Sequence, residues 1–83
     1  MPGMFRANAA LYRAAAAGQM PTPPDFSKPS YAPDRKRLAE LVALAEAGDI
    51  AALRAHAIKV YFSASLELDR YRHRAILALE ARA

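Results

Sequence analysis

Ser63, Ser65, Asp69 and His73 stand close together in the stretch "SASLELDRYRH". A hydroxyl, an imidazole and a carboxylate are the parts of a nucleophilic hydrolase, in which histidine takes the serine proton and the acid orients the histidine. That chemistry also needs a glycine-flanked turn presenting the serine, backbone donors for the oxyanion and a pocket that excludes water. No such glycines surround either serine, and the two serines read instead as caps of the helix that follows. Asp69 and His73, four apart on that helix, read as a surface ion pair. A zinc site fares no better. His56 and His73 are the only histidines, cysteine is absent, and neither HExxH nor any paired-ligand spacing occurs. Gly3, Gly18 and Gly48 are too scattered to cradle a phosphate. The sequence therefore assigns no catalytic residue, no metal, no cofactor and no small-molecule substrate, and predicts a chain that is not an enzyme.

Basic residues are the remaining chemical signal. Arg35, Lys36 and Arg37 are adjacent at the start of a helix, where positive charge opposes the dipole and calls for compensation. Arg70 and Arg74 share one face of the last helix, with His73 beside them and Arg72 pointing elsewhere. Glu67 can pair with Arg70 and Asp69 with Arg72, leaving Arg74 as the arginine without an evident partner. Joined by Arg6 and Arg13, these residues could grip phosphates without reading sequence. Against that, 12 basic residues are interleaved with 8 acidic ones for a net charge of +4, so no single-sign field dominates. The stretch "LVALAEAGDIAALRAH", helix, glycine, helix, invites comparison with a DNA-reading helix-turn-helix. Such a unit needs apolar residues just after the turn glycine and midway along its second helix, and here those places hold Asp49 and Arg54. The bend reads as a glycine cap followed by an aspartate cap.

The elements that must position these residues are helices. Alanine makes up about a quarter of the 83 residues, well above ordinary usage, and is the strongest helix former. Residues 1–18 form an amphipathic helix from about Met4 to Ala17, with Phe5, Ala9, Tyr12 and Ala16 on one side, Met4 and Leu11 next to them, and Gly18 as its stop. Arg6, Asn8 and Arg13 interrupt any apolar run, so this is a structural helix and not a secretion signal, and nothing in the chain is long and apolar enough for a membrane span. Residues 19–33 hold five of the six prolines. They form an extended arm that either spaces the first helix away or lies in a groove, with Met20, Phe26 and Tyr31 as anchors favouring at least partial docking.

Residues 34–83 form the bundle. A second helix runs from Pro33 to Ala47 on the stripe Leu38, Leu41, Val42, Ala45, widened by Leu44, and ends at Gly48. Asp49 caps a short third helix from Ile50 to His56, completing a helical hairpin. In "AIKVYFSAS" Ile58, Val60 and Phe62 alternate with polar residues as in a strand, but a lone strand has no partner within an all-α chain. The stretch is expected to be a loop that buries those three side chains, with pairing to another molecule's edge as the alternative. Capped by Ser63 or Ser65, the last helix spans about Leu66 to Arg82, with Leu68, Tyr71, Ala75, Ile76 and Leu79 as its buried stripe. The expected fold is all-α: a small helical bundle, hairpin plus C-terminal helix, with an N-terminal helix on a proline-rich arm.

Three segments, "MPTPPDF" from Met20, "LAELVALAEAGDIAALRAH" from Leu38 and "RYRHRAILALEARA" from Arg70, resemble small uncharacterised helical proteins of alphaproteobacteria, often associated with plasmids and mobile elements. The resemblance covers residues 20–83. The loop "AIKVYFSAS" departs from the serine- and proline-rich version of those proteins. What the resemblance implies is a bacterial, cytoplasmic helical module and no reaction.

A chain this short hides only about 60–65% of its unfolded surface, and without cysteine neither disulfide nor thiolate metal can supplement the core. The expected function is protein–protein interaction, with self-association into a homo-oligomer among the options, through Phe5, Leu11, Tyr12, Ile58, Val60 and Phe62. The alternative is a nucleic-acid-binding accessory protein using Arg35, Lys36, Arg37, Arg70 and Arg74.

Overall fold

A computed structural model describes the backbone of residues 2–83 and the side chains of residues 9–83. The Phe5 and Arg6 side chains lie outside the described residues. Among the described residues four α-helices follow one another: α1 (Pro2–Ala16), α2 (Ala32–Glu46), α3 (Ile50–Ala55) and α4 (Ser63–Arg82), with a 3₁₀ turn (Pro29–Tyr31) leading into α2. The fold is all-α, and no helix among the described residues is long and apolar enough to cross a membrane.

The helix ends follow local rules. After α1 and after α2 the chain closes with the same paired bonds. Gly18 N–H donates to Ala15 and Gln19 N–H to Ala14, and likewise Gly48 N–H donates to Ala45 and Asp49 N–H to Leu44. This closure places the glycine in the left-handed region, with φ +93° at Gly18 and +68° at Gly48. Asp49 then caps α3, its Oδ1 accepting from Ala52 N–H at 3.0 Å. The bend is thus two caps back to back. Its charges stay at the surface: Asp49 and Arg54 are exposed, and Arg54 pairs with Glu80 at 3.1 Å.

α4 begins three residues before the expected Leu66, at Ser63. Ser65 is therefore no N-cap. From inside the first turn its Oγ reaches back, accepting from Tyr61 N–H at 2.9 Å and Phe62 N–H at 3.1 Å and donating to Phe62 O at 2.9 Å. One hydroxyl settles two donors that a helix start would leave open.

α4 is the wall for everything else, touching α1, α2 and α3. Its buried positions are Ser65, Leu68, Tyr71, Arg74, Ala75 and Ala78. Leu68 meets Leu41 and Ala45 of α2, Leu53 of α3 and Phe26 of the arm in one cluster, with Ile76 and Leu79 packed at its margin. The arm is docked: Phe26 is buried, Tyr31 stacks on it with ring centroids 4.8 Å apart, and Met20 lies against the core.

α1 runs alongside α4 in the same direction. Tyr12 shares a cleft with His73, Ile76 and Leu77, while Gly18 faces Ala81 and Arg82. A parallel neighbour obliges the chain to travel back before α2 can start, and the extended arm is that return. The side α1 presents is centred on buried Ala15, not on Ala9 and Ala16, which are exposed. Alanine lies on every side of this helix, so α4 can take up the Ala15 side although Tyr12 and Leu11 mark a different one. The Cα radius of gyration, 12.6 Å, is near the roughly 12 Å of a folded domain of this length, as expected if the arm and α1 lie on the bundle.

Two measurements test this arrangement. Gly48→Ala has room for its Cβ, the nearest atom being Leu79 Cδ2 at 4.0 Å, so it carries only the backbone penalty, about 1–2 kcal/mol. Leu68→Ala opens a cavity at fully buried packing and is expected to cost about 2–5 kcal/mol, enough to unfold so small a chain. Thermal melts followed by circular dichroism should rank them in that order. Alkaline titration supplies the second. Burial of Tyr71, aided by the charge of Glu46 and opposed by Arg74, raises its phenol pKa above 10.0. The neutral phenol is what the fold accommodates, so this contribution is complete below the unfolded value and is lost as pH rises through the raised one. Denaturant midpoints should fall above about pH 10 in the native chain and less so in Tyr71→Phe.

Candidate interaction surface

Several of the basic residues are occupied in holding the fold. Arg35 directs Nε to Phe26 O at 2.7 Å and Nη2 to Ser27 O at 3.1 Å and Lys28 O at 3.0 Å. These carbonyls supply the compensation that its position at the start of α2 requires, and they fasten the arm. Arg72 sends Nε to Leu53 O at 2.6 Å and Nη2 to Arg54 O at 2.7 Å, at the negative end of α3. Arg82 Nε reaches Gly18 O at 2.6 Å, just past the end of α1. Arg70 pairs with Glu67 at 3.4 Å, and Arg72 with Asp69 at 3.7 Å.

Arg74, the arginine without a partner on its own helix, is not a surface residue. It is only 7% exposed, its Nε donates to Arg70 O at 3.3 Å, and it lines a small cleft with Leu11, Ala14 and the first residues of the arm. The docking of α1 beside α4 covers it, which the spacing within α4 could not reveal. The expected phosphate-binding set therefore separates: Arg35 is spent on carbonyls, Arg70 on a carboxylate and Arg74 is covered. Lys36 and Arg37 stay exposed on α2.

The hydrolase constellation does not assemble either. Both the proton and the lone pairs of Ser65 Oγ are engaged with backbone, and His73 Nε2 lies 3.6 Å from Asp69 Oδ1 on an exposed helix face. Among the described residues no three histidine or carboxylate side chains gather closely enough to hold a metal ion.

The apolar candidates are also distributed. Ile58 is half-buried and packed against the core. Val60 and Phe62, expected to be covered by their own loop, are instead 49% and 82% exposed. Tyr61, placed on the polar side by the alternation, is 71% exposed. The reason lies in the anchor points. Ile58 fixes one end, Ser65 fixes the backbone of Tyr61 and Phe62 at the other, and α4 has already filled its inner face with Leu68 and Tyr71. Leu11 and Tyr12 line separate clefts along α1, away from this projection.

Beside it is a cleft of about 420 Å³ lined by Arg37, His56, Ala57, Ile58, Lys59 and Tyr61. His56 Nε2 is 3.1 Å from Glu40 Oε2, while its Nδ1 is buried without a hydrogen-bond partner. A larger groove, about 470 Å³, runs along α2 between Phe26, Leu38, Ala39, Val42 and Ala43, with Arg35 and Glu46 at its edges. It lacks any pair of groups placed to move a proton. Sequence reasoning singled out Val60 and Phe62 but overlooked Tyr61 and Lys59; four consecutive residues from Lys59 to Phe62 with no helix or sheet to hide them were the available signal.

No protein-family model, curated protein or solved structure matches the chain.

Arg35→Met removes the fastening of the arm and should lower stability by about 1–2 kcal/mol. Limited proteolysis should show faster cutting within residues 19–31 than in the native chain. Cutting at an unchanged rate would mean that Phe26 and Tyr31 hold the arm unaided.

Proposed function

We propose that this chain is a small, non-enzymatic α-helical module that binds another protein chain, a second copy included, through the projection Val60–Tyr61–Phe62. One observation supports this most directly: three successive large side chains are exposed, Val60 by half and Tyr61 and Phe62 largely, on an extended segment whose two ends are fixed. Leaving them exposed gains the isolated chain nothing. Burying one such side chain is worth about 1.5–3 kcal/mol, and a backbone held beforehand by Ser65 and Ile58 loses little entropy when the partner docks. The bacterial, cytoplasmic setting implied by the resemblance of residues 20–83 belongs to the same proposal.

The double substitution Tyr61→Ser with Phe62→Ser tests it. Because both side chains are exposed, the melting temperature should hardly change. Association should weaken by about tenfold or more for each aromatic ring removed. Sedimentation equilibrium would read this for self-association, and tagged-chain capture from a bacterial lysate with mass spectrometry for a second protein. Binding of the same proteins at the same strength by native chain and double variant would overturn the proposal.

A further inference from the structure

Resting on that reading, we infer that the cleft beside the projection is the polar half of the same site, and that it takes a carboxylate carried by an apolar segment of another protein. Two cations, Arg37 and Lys59, line it, and no acidic side chain does. The ion pairs of the described residues engage Arg54, His56, Arg70, Arg72 and His73, so both cations are left with no carboxylate of this chain. Glu40, whose carboxylate meets His56 of this lining, is committed to that imidazole. Arg35, Arg72 and Arg82 are turned onto backbone, whereas Arg37 and Lys59 share one cleft with no acidic side chain in its lining, and it is this pairing that marks the site.

The cleft's composition selects the ligand. Arg37 offers a planar fork that matches a carboxylate through two parallel bonds, and Lys59 a mobile ammonium that can close over it. Ile58 and Ala57 supply apolar lining, in which such bonds are less screened than on an open surface. Tyr61 belongs to both the cleft and the projection, so an acidic side chain in the cleft places its apolar neighbours against Tyr61, Phe62 and Val60. A nucleic-acid strand would need a track of cations along its backbone, and the lining of this cleft holds two beside an aliphatic contact.

The test uses the full chain and a displayed library of short random peptides, with the enriched peptides remade with a fluorescent label for anisotropy. The expected result is enrichment of Asp or Glu next to apolar residues. Arg37→Gln with Lys59→Gln should weaken binding roughly tenfold or more and flatten its salt dependence, with an unchanged melting temperature. If Tyr61→Ser with Phe62→Ser abolishes binding while the glutamine variant binds within about twofold of native, the carboxylate site is overturned and the interaction module stands. Peptides indifferent to both variants, or no enriched peptide at all, overturn the carboxylate site, while the interaction module is judged by the sedimentation and capture measurements on the Tyr61→Ser, Phe62→Ser variant. Two further results also overturn the inference: single-stranded oligothymidine binding that depends on Arg37 and Lys59, or self-association abolished by their substitution.

Discussion

One face of one helix has to serve three neighbours. α4 meets α1, α2 and α3 with a buried set whose apolar members are two large residues, Leu68 and Tyr71, and two alanines, Ala75 and Ala78. Alanine lets another helix approach closely but buries little area, so the hydrophobic return at each crossing is small. The large buried side chains elsewhere, Leu41, Leu53 and Phe26, all converge on the same place. The chain has one knot of well-packed residues and long stretches beyond it where apolar burial alone is thin.

Arginine makes up part of that shortfall. Arg35, Arg72 and Arg82 each cross from a helix to main-chain carbonyls of a different segment, tying down the arm, the end of α3 and the end of α1. Carbonyls at helix ends lack intrahelical partners and carry the negative end of the dipole, so a guanidinium there satisfies a group that would otherwise need water. Each of these bonds joins a charged donor to a backbone acceptor, a stronger class than neutral pairs. The net positive charge that first suggests an anionic partner is in good part internal fastening.

The most exposed aromatic side chains, Tyr61 and Phe62, stand at the turn into α4. Lys59, Val60, Tyr61 and Phe62 leave the core at Ile58 and are caught again by Ser65, so the segment is held at both ends while its side chains face water. Arg37 joins them from α2 across the cleft. Charge without a counter-charge and aromatic surface without cover lie side by side there. This pairing is what ties the proposed partner to this end of the molecule.

The helices and their stops were legible in the sequence because they are decided within a few residues: Gly18 and Gly48 take the left-handed conformation, Asp49 caps α3, and the stripes of α2 and α4 mark inner faces that the structure keeps. The fate of individual polar and aromatic side chains was not legible. Nothing near Arg35 in sequence foretells the carbonyls of Phe26 to Lys28, and nothing within α4 foretells that α1 will cover Arg74. The strand-like alternation of Val60 and Phe62 hides Tyr61 until the anchoring of both ends turns all three outward. Local backbone geometry is short-ranged and therefore written along the chain, whereas burial and ion pairing depend on which distant surface arrives alongside, and only packing decides that.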